Sequence, residues 1–152
     1  MEYDFKNILV AVDASENAAR AIRYVGEITT GNPAFKVTVL NVVRHPSRDH
    51  YPSDEEWQRG CKDIEQKGKQ VLEESVQILL SSGMNSDNIQ TSMVWASGPS
   101  IAAEIMKVQQ QGGFGTVAVG RRGVSKAEEF LFGSVSSKVV HYARNCTVWV
   151  VE

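Results

Sequence analysis

The chain lacks the marks of several large functional classes. Its charges nearly cancel, 16 Lys and Arg against 18 Asp and Glu for a net charge of −2. It therefore offers no basic footprint for gripping DNA or RNA, and nucleic acid is not an expected partner. Long apolar runs are missing too. The longest, residues 8–12, falls far short of the roughly 20 residues that span a bilayer, and Met1, Glu2, Tyr3 and Asp4 do not form a basic stretch leading into an apolar core. No membrane contact and a cytoplasmic location are expected. Cysteine is scarce: Cys61 and Cys146 stand 85 positions apart and read as two reduced, packed thiols rather than a disulfide.

The usual catalytic signatures are also missing. His45, His50 and His141 do not have the spacing of a metal site. No serine sits in a Gly-x-Ser-x-Gly elbow, and neither cysteine has a histidine close by in sequence, so nucleophilic catalysis finds no support. No Gly-Lys-Ser or Gly-Lys-Thr closes a Walker A loop, and no dinucleotide fingerprint follows the first apolar run. Motor-type ATPases and NAD enzymes are thereby set aside.

What is present is a regular alternation of two periodicities. Residues 6–12 form an apolar run, after which Ala18, Ala21, Ile22, Val25 and Ile28 recur at helical spacing as far as Gly31. A second strand is predicted over 35–43. The segment 44–52, with two prolines, two histidines and Tyr51 as its main apolar anchor, reads as a mobile loop. Ser53 precedes Glu56 at capping-box spacing, and Trp57, Cys61, Ile64, Val71, Leu72, Val76 and Leu79 then mark one face of a long helix. Gly60 and Gly68 each cost that helix about 1 kcal/mol against alanine, which predicts a late start or a bend. A third strand over 89–95 follows, then a helix with Pro99 in its first turn. A fourth strand over 116–119, a helix over 133–142 and a fifth strand over 147–151 complete the chain. Nearly continuous apolar strands separated by helices imply a parallel sheet covered on both faces. At 152 residues and 42% hydrophobic content, one domain is expected, residues 1–152.

The most informative motif lies between the fourth strand and the last helix. Gly120 is followed after two residues by Gly123, and after nine more by Gly133 and Ser134. Glycines let backbone N–H groups approach an anion without a Cβ in the way, and a helix opening there adds about half a positive charge. A nucleotide phosphate is the ligand this pattern suits, although Gly123 or Gly133 would equally serve simply to turn the chain. Arg121 and Arg122 lie inside the loop, where a guanidinium can fork onto phosphate. Ser134 and Ser136 bring hydroxyls to the first turn of the helix. Asp13 has two readings: with Glu16 it makes a helix-capping pair, or its carboxylate faces the ligand.

The glycine spacing, with Asp13 closing the first strand, Val42 ending the second, Gly98 and Pro99 opening a helix and 146–151 forming the last strand, resembles the ATP-binding branch of the universal stress protein family. The resemblance covers nearly the whole chain. It implies a Rossmann-like, doubly wound α/β domain whose five-stranded parallel sheet has the order 3-2-1-4-5, with helices on both faces. In that order strands 1 and 4 flank the switch point and bring Asp13 to Gly120. It further implies ATP, or AMP or ADP, held by Ala11, Val12, Asp13, Val42, Gly120, Arg121, Arg122, Gly123, Gly133, Ser134, Val135 and Ser136. Asp13 would stand at the ribose or at a Mg ion carried with the nucleotide, and Val42 would offer its backbone to the adenine edge. Ala11 departs from the family, in which proline is frequent at this position. The resemblance also implies a homodimer through the last strand, an edge that contains neither lysine nor proline.

On this reading the chain is a nucleotide-responsive regulatory dimer of a stress response, acting on a protein partner that the sequence does not name. It is not expected to be an enzyme beyond slow ATP hydrolysis, because Asp13 is the only candidate for positioning water or metal. The rival functions are a true ATP hydrolase and a nucleotide-independent dimeric scaffold or chaperone-like protein.

Overall fold

The computed structural model describes residues 2–121 and 134–152. The apolar runs become five strands, β1 (Asp4–Ala11), β2 (Lys36–Val43), β3 (Ile89–Trp95), β4 (Phe114–Gly120) and β5 (Thr147–Val151). Between them lie α1 (Glu16–Thr29), α2 (Asp54–Ser81), α3 (Ile101–Gly112) and α4 (Ser134–Tyr142). Every pairing is parallel, and the strand order is β3-β2-β1-β4-β5, as expected. Among the described residues no helix is long and apolar enough to cross a membrane.

The topology sorts the helices. From β1 the chain steps outward through β2 to β3, then returns past β1 to β4 and β5, and right-handed crossovers put α1 and α2 on one face and α3 and α4 on the other. Alternation along β1 feeds both layers. Ile8 and Val10 pack with Ala21, Ile22, Val25, Leu72 and Leu79 on the α1/α2 face. Leu9 packs with Ile105, Val117 and Val139 on the α3/α4 face. Each such side chain contributes about 1.5–3 kcal/mol by leaving water.

Two helix starts differ from the sequence expectation. α2 runs unbroken from Asp54, capped by the Ser53 hydroxyl, which accepts from Glu56 N–H at 3.2 Å. Gly68 does not interrupt it, and a Cβ there would press onto Asn41 Oδ1 and Met93 Sδ, 2.8 Å from each. The missing side chain lets α2 approach β2 and β3, and that packing offsets the propensity cost. α3 begins at Ile101, after the proline: Ser100 is its N-cap, accepting from Ala103 N–H at 3.1 Å.

The strands are of unequal reach at their carboxyl ends. β1 pairs with β2 only as far as Ala11 opposite Leu40, whereas β2 continues beside β3 to Val43 opposite Trp95. This leaves a notch beside the end of β2, where β1 gives way to the first turn of α1.

Candidate functional site

The notch opens into a cleft of about 190 Å³ at the switch point between β1 and β4. Ala11, Val12, Asp13, Ser15, Asn17 and Ala18 line it from the β1–α1 junction, and Val42 lines it from β2. Ile101 and Ile105 of α3, Val119 and Gly120 of β4, and Val135 and Ser136 of α4 complete the wall.

At the β1–α1 junction the chain is fixed by local hydrogen bonds. Asp13 Oδ1 accepts from Ser15 N–H at 2.8 Å, and Ser15 Oγ accepts from Ala18 N–H at 3.2 Å. Ser15, not Asp13, is therefore the N-cap of α1. Asp13 is left exposed at the mouth of the cleft with its second carboxylate oxygen open to solvent or ligand. Asn17, buried in the first turn, accepts from Arg20 Nη1 at 3.2 Å through its Oδ1.

Gly120 is demanded by close approach. A Cβ at this position would collide with the backbone of Asn17 and Ala18, so the end of β4 touches the start of α1 directly. The same absence of a side chain leaves backbone at the cleft wall.

Val42 shows the clearest polar feature. Backbone groups of successive residues face opposite sides of a strand. Leu40 C=O faces β1, where it accepts from Val12 N–H at 2.8 Å, and Val43 C=O faces β3, where it accepts from Ala96 N–H at 2.8 Å. Val42 must then turn both its N–H and its C=O toward the β1 side, past the end of β1. Val12 C=O, the acceptor a continued ladder would have offered, is occupied by Asn41 Nδ2 at 2.8 Å. Among the described residues no backbone bond joins Val42 across the notch.

The far wall is apolar, with one buried hydroxyl. Ser136 is 1% exposed in the first turn of α4, beside Val135. The α3 end is braced by Glu104, whose buried carboxylate accepts from Ser97 Oγ at 2.6 Å and Ser97 N–H at 3.2 Å. The Ser97 hydroxyl and N–H hold this carboxyl below the usual carboxylate range, against the opposing effect of burial.

The structure thus gathers Ala11, Val12, Asp13, Val42, Gly120, Val135 and Ser136 around one cleft. Ser134 is the first residue of α4. Arg121 is engaged elsewhere: its guanidinium donates to Glu152 at 2.7 Å and its N–H to Val151 C=O at 2.6 Å. Arg122, Gly123 and Gly133 lie outside the described residues. Ser15, Asn17, Ile101, Ile105 and Val119 line the cleft without having been singled out in the sequence. Their signals were those of a cap and of core, and only the topology turns them toward a ligand. For a divalent cation the fit is partial. Asp13 is the one carboxylate among the described lining residues, and one of its oxygens is committed. Mg would then have to take most of its oxygen ligands from a nucleotide and water.

Beside the cleft the 44–52 loop is held more firmly than its composition suggests. His45 stacks on Trp95 at 4.2 Å and on Trp57 at 5.9 Å, and Arg48 lies 4.7 Å over the Trp57 ring. Trp57 Nε1 donates to Pro46 C=O at 2.8 Å. Tyr51 covers Gly60. The same column brings Cys61 Sγ within 3.8 Å of His45 Nδ1, a pairing that sequence distance concealed. Cys61 and Cys146 are free thiols, and burial pushes the Cys146 thiol up.

Comparison with known proteins agrees with this architecture. The model of the universal stress protein family matches residues 4–152. Universal stress protein YxiE of Bacillus subtilis is 25% identical over 155 aligned residues, covering 97% of this chain and 99% of that protein. The structure of universal stress protein UspA from Lactobacillus plantarum is similar with a TM-score of 0.76 at 23% identity, over 99% of this chain and 100% of that one. A universal stress protein from Archaeoglobus fulgidus, solved in complex with dAMP, is similar with a TM-score of 0.67 at 20% identity, over 96% and 97% of the two chains. The family match takes in every strand and α-helix described above, and the chain belongs to the universal stress protein family.

Proposed function

We propose that this chain binds an adenine nucleotide, ATP among them, in the cleft between β1 and β4, and acts as a nucleotide-responsive regulatory dimer. The observation that carries this reading is the open peptide edge of Val42, flanked by the side chains of Ile101, Ile105, Val119 and Val135. An N–H beside a C=O matches adenine, which accepts at N1 and donates from its N6 amino group. Guanine presents the inverse pattern at the corresponding edge. The apolar side chains suit the faces of the base. Asp13 would accept from the ribose hydroxyls or join a Mg ion carried by the nucleotide. The phosphates would lie toward Gly120 and the start of α4, with Gly123, Gly133, Ser134 and Ser136 as their proposed partners and Arg122 as the proposed cation. The dAMP held by the Archaeoglobus relative supports an adenine ligand.

We read the site as one that holds nucleotide rather than one that consumes it. In-line attack on a phosphoryl group needs a positioned water and a metal clamp, and Asp13 is the single described carboxylate at hand. Titration calorimetry with AMP, ATP and GMP tests the reading. Both adenine nucleotides are expected to bind at least roughly tenfold more tightly than GMP, since a mismatched base leaves the Val42 groups unpaired at a cost of about 1–3 kcal/mol. Equal affinity for GMP, or no heat from any of the three, would sink it.

A further inference from the structure

A second chamber of about 330 Å³ lies next to the first, and the walls it does not share have no part in the function proposed above. The two share Val42, Ile101 and Val135, so they are compartments of one cleft divided by an apolar sill. The remaining walls of the second are of another character: Arg44 from beyond β2, Lys138 from α4, and Ser100 and Ala102 at the start of α3. The Arg44 guanidinium donates to Pro99 C=O, which holds it against the turn that leads into α3. Among the described residues neither Arg44 nor Lys138 has a carboxylate partner, and no carboxylate lines the chamber. Glu104, the acid in the first turn of α3, is spent on Ser97. Ser100 Oγ accepts from Ala103 N–H. The N–H groups of Ile101 and Ala102 come too early in the helix to have an acceptor within it. In a chain whose net charge is −2, two exposed cations without a carboxylate partner among the described residues and two orphan donors thus border one cavity.

We propose that this chamber is an oxyanion subsite contiguous with the nucleotide cleft, built for a phosphoryl or carboxylate group other than the one directed at Gly120. Lys138 supplies a mobile point charge, Arg44 a planar fork already oriented by Pro99, and the helix start supplies N–H donors. The group has two sources: a second anionic arm of the same ligand, as in a dinucleotide, or a separate inorganic anion bound beside a mononucleotide. The proposal rests on the adenine reading only for what fills the first chamber.

The test uses the intact chain, 15N-labelled, with inorganic phosphate, AMP and diadenosine tetraphosphate as separate probes. Phosphate is expected to shift the amide signals of Ile101 and Ala102. The double variant Arg44→Gln/Lys138→Gln is expected to weaken phosphate binding tenfold or more and to leave AMP affinity within twofold. A parallel loss for diadenosine tetraphosphate identifies the second arm of one ligand as the occupant, and a loss confined to phosphate identifies a separate anion. Lys138→Gln alone leaves the Arg44–Pro99 contact in place and is expected to show a smaller loss in the same direction, which guards against misfolding of the double variant. Unmoved Ile101 and Ala102 signals, or unchanged affinity of both variants for phosphate and the dinucleotide, would overturn the proposal. Failure of AMP to bind the wild type would remove the adenine reading while the phosphate arm still decides the subsite.

Discussion

At the scale of single residues, the cleft depends on positions whose sequence signal is double. Gly120 was legible as part of a phosphate cradle, yet the structure gives it a second duty, since a side chain there meets the backbone of Asn17 and Ala18. The expected consequence is that Gly120→Ala destabilises the fold by roughly 1–3 kcal/mol through overpacking and weakens nucleotide binding as well. Urea denaturation and calorimetry on the same variant check both halves, and an unchanged stability would refute the close-packing account. Asp13 illustrates the opposite case. Its spacing from Glu16 permitted a capping role, but Ser15 sits two residues further on and takes the cap, which leaves the Asp13 carboxylate facing the cleft. Val42 could not have been singled out by its side chain at all. What distinguishes it is the parity of its backbone groups at the point where β1 ends, and that depends on register between strands.

At the scale of elements, strands and helices were largely legible because each carries its own period. β3 and β5 have the predicted bounds, and β4 extends the predicted run by Phe114 and Gly115 at its start and Gly120 at its end. The discrepancies are tertiary in origin. Gly68 argued against a continuous α2, but the helix runs on through it, packed on what the glycine lets it touch, Asn41 and Met93. The 44–52 loop has anchors that its own composition does not show, because they lie elsewhere in sequence: Trp57 on α2 and Trp95 on β3 both stack on His45. Trp57→Ala removes the stacking surface and the bond to Pro46 C=O. Backbone amide exchange over 45–51 is then expected to accelerate by roughly tenfold or more, the equivalent of about 1.4 kcal/mol in local opening. Exchange in that segment unchanged by the substitution would mean that the aromatic column does not hold the loop.

At the scale of the whole molecule, hydrophobic pattern alone implied a parallel α/β sheet, but the order of its strands came from family resemblance. Pairing is a long-range choice that no local period encodes. That order places β5 at an edge, where Trp149 packs edge-on against Tyr24 at 5.8 Å and Tyr24 remains 41% exposed. We propose that a two-fold partner, its own β5 running antiparallel alongside, covers this edge. Light scattering is expected to give a dimer at tens of micromolar protein, and Val150→Pro, which removes a backbone donor from the edge, is expected to shift it toward monomer. A monomeric wild type would contradict the dimer. The central claim, that an adenine nucleotide occupies the switch-point cleft, is tested most directly by adding AMP to 15N-labelled protein and following backbone amides. The account predicts that Val42, Gly120 and Ser136 shift together along one saturable, one-to-one curve. Signals that stay in place at these three positions, or that move only at a site away from the carboxyl ends of β1 and β4, would contradict it.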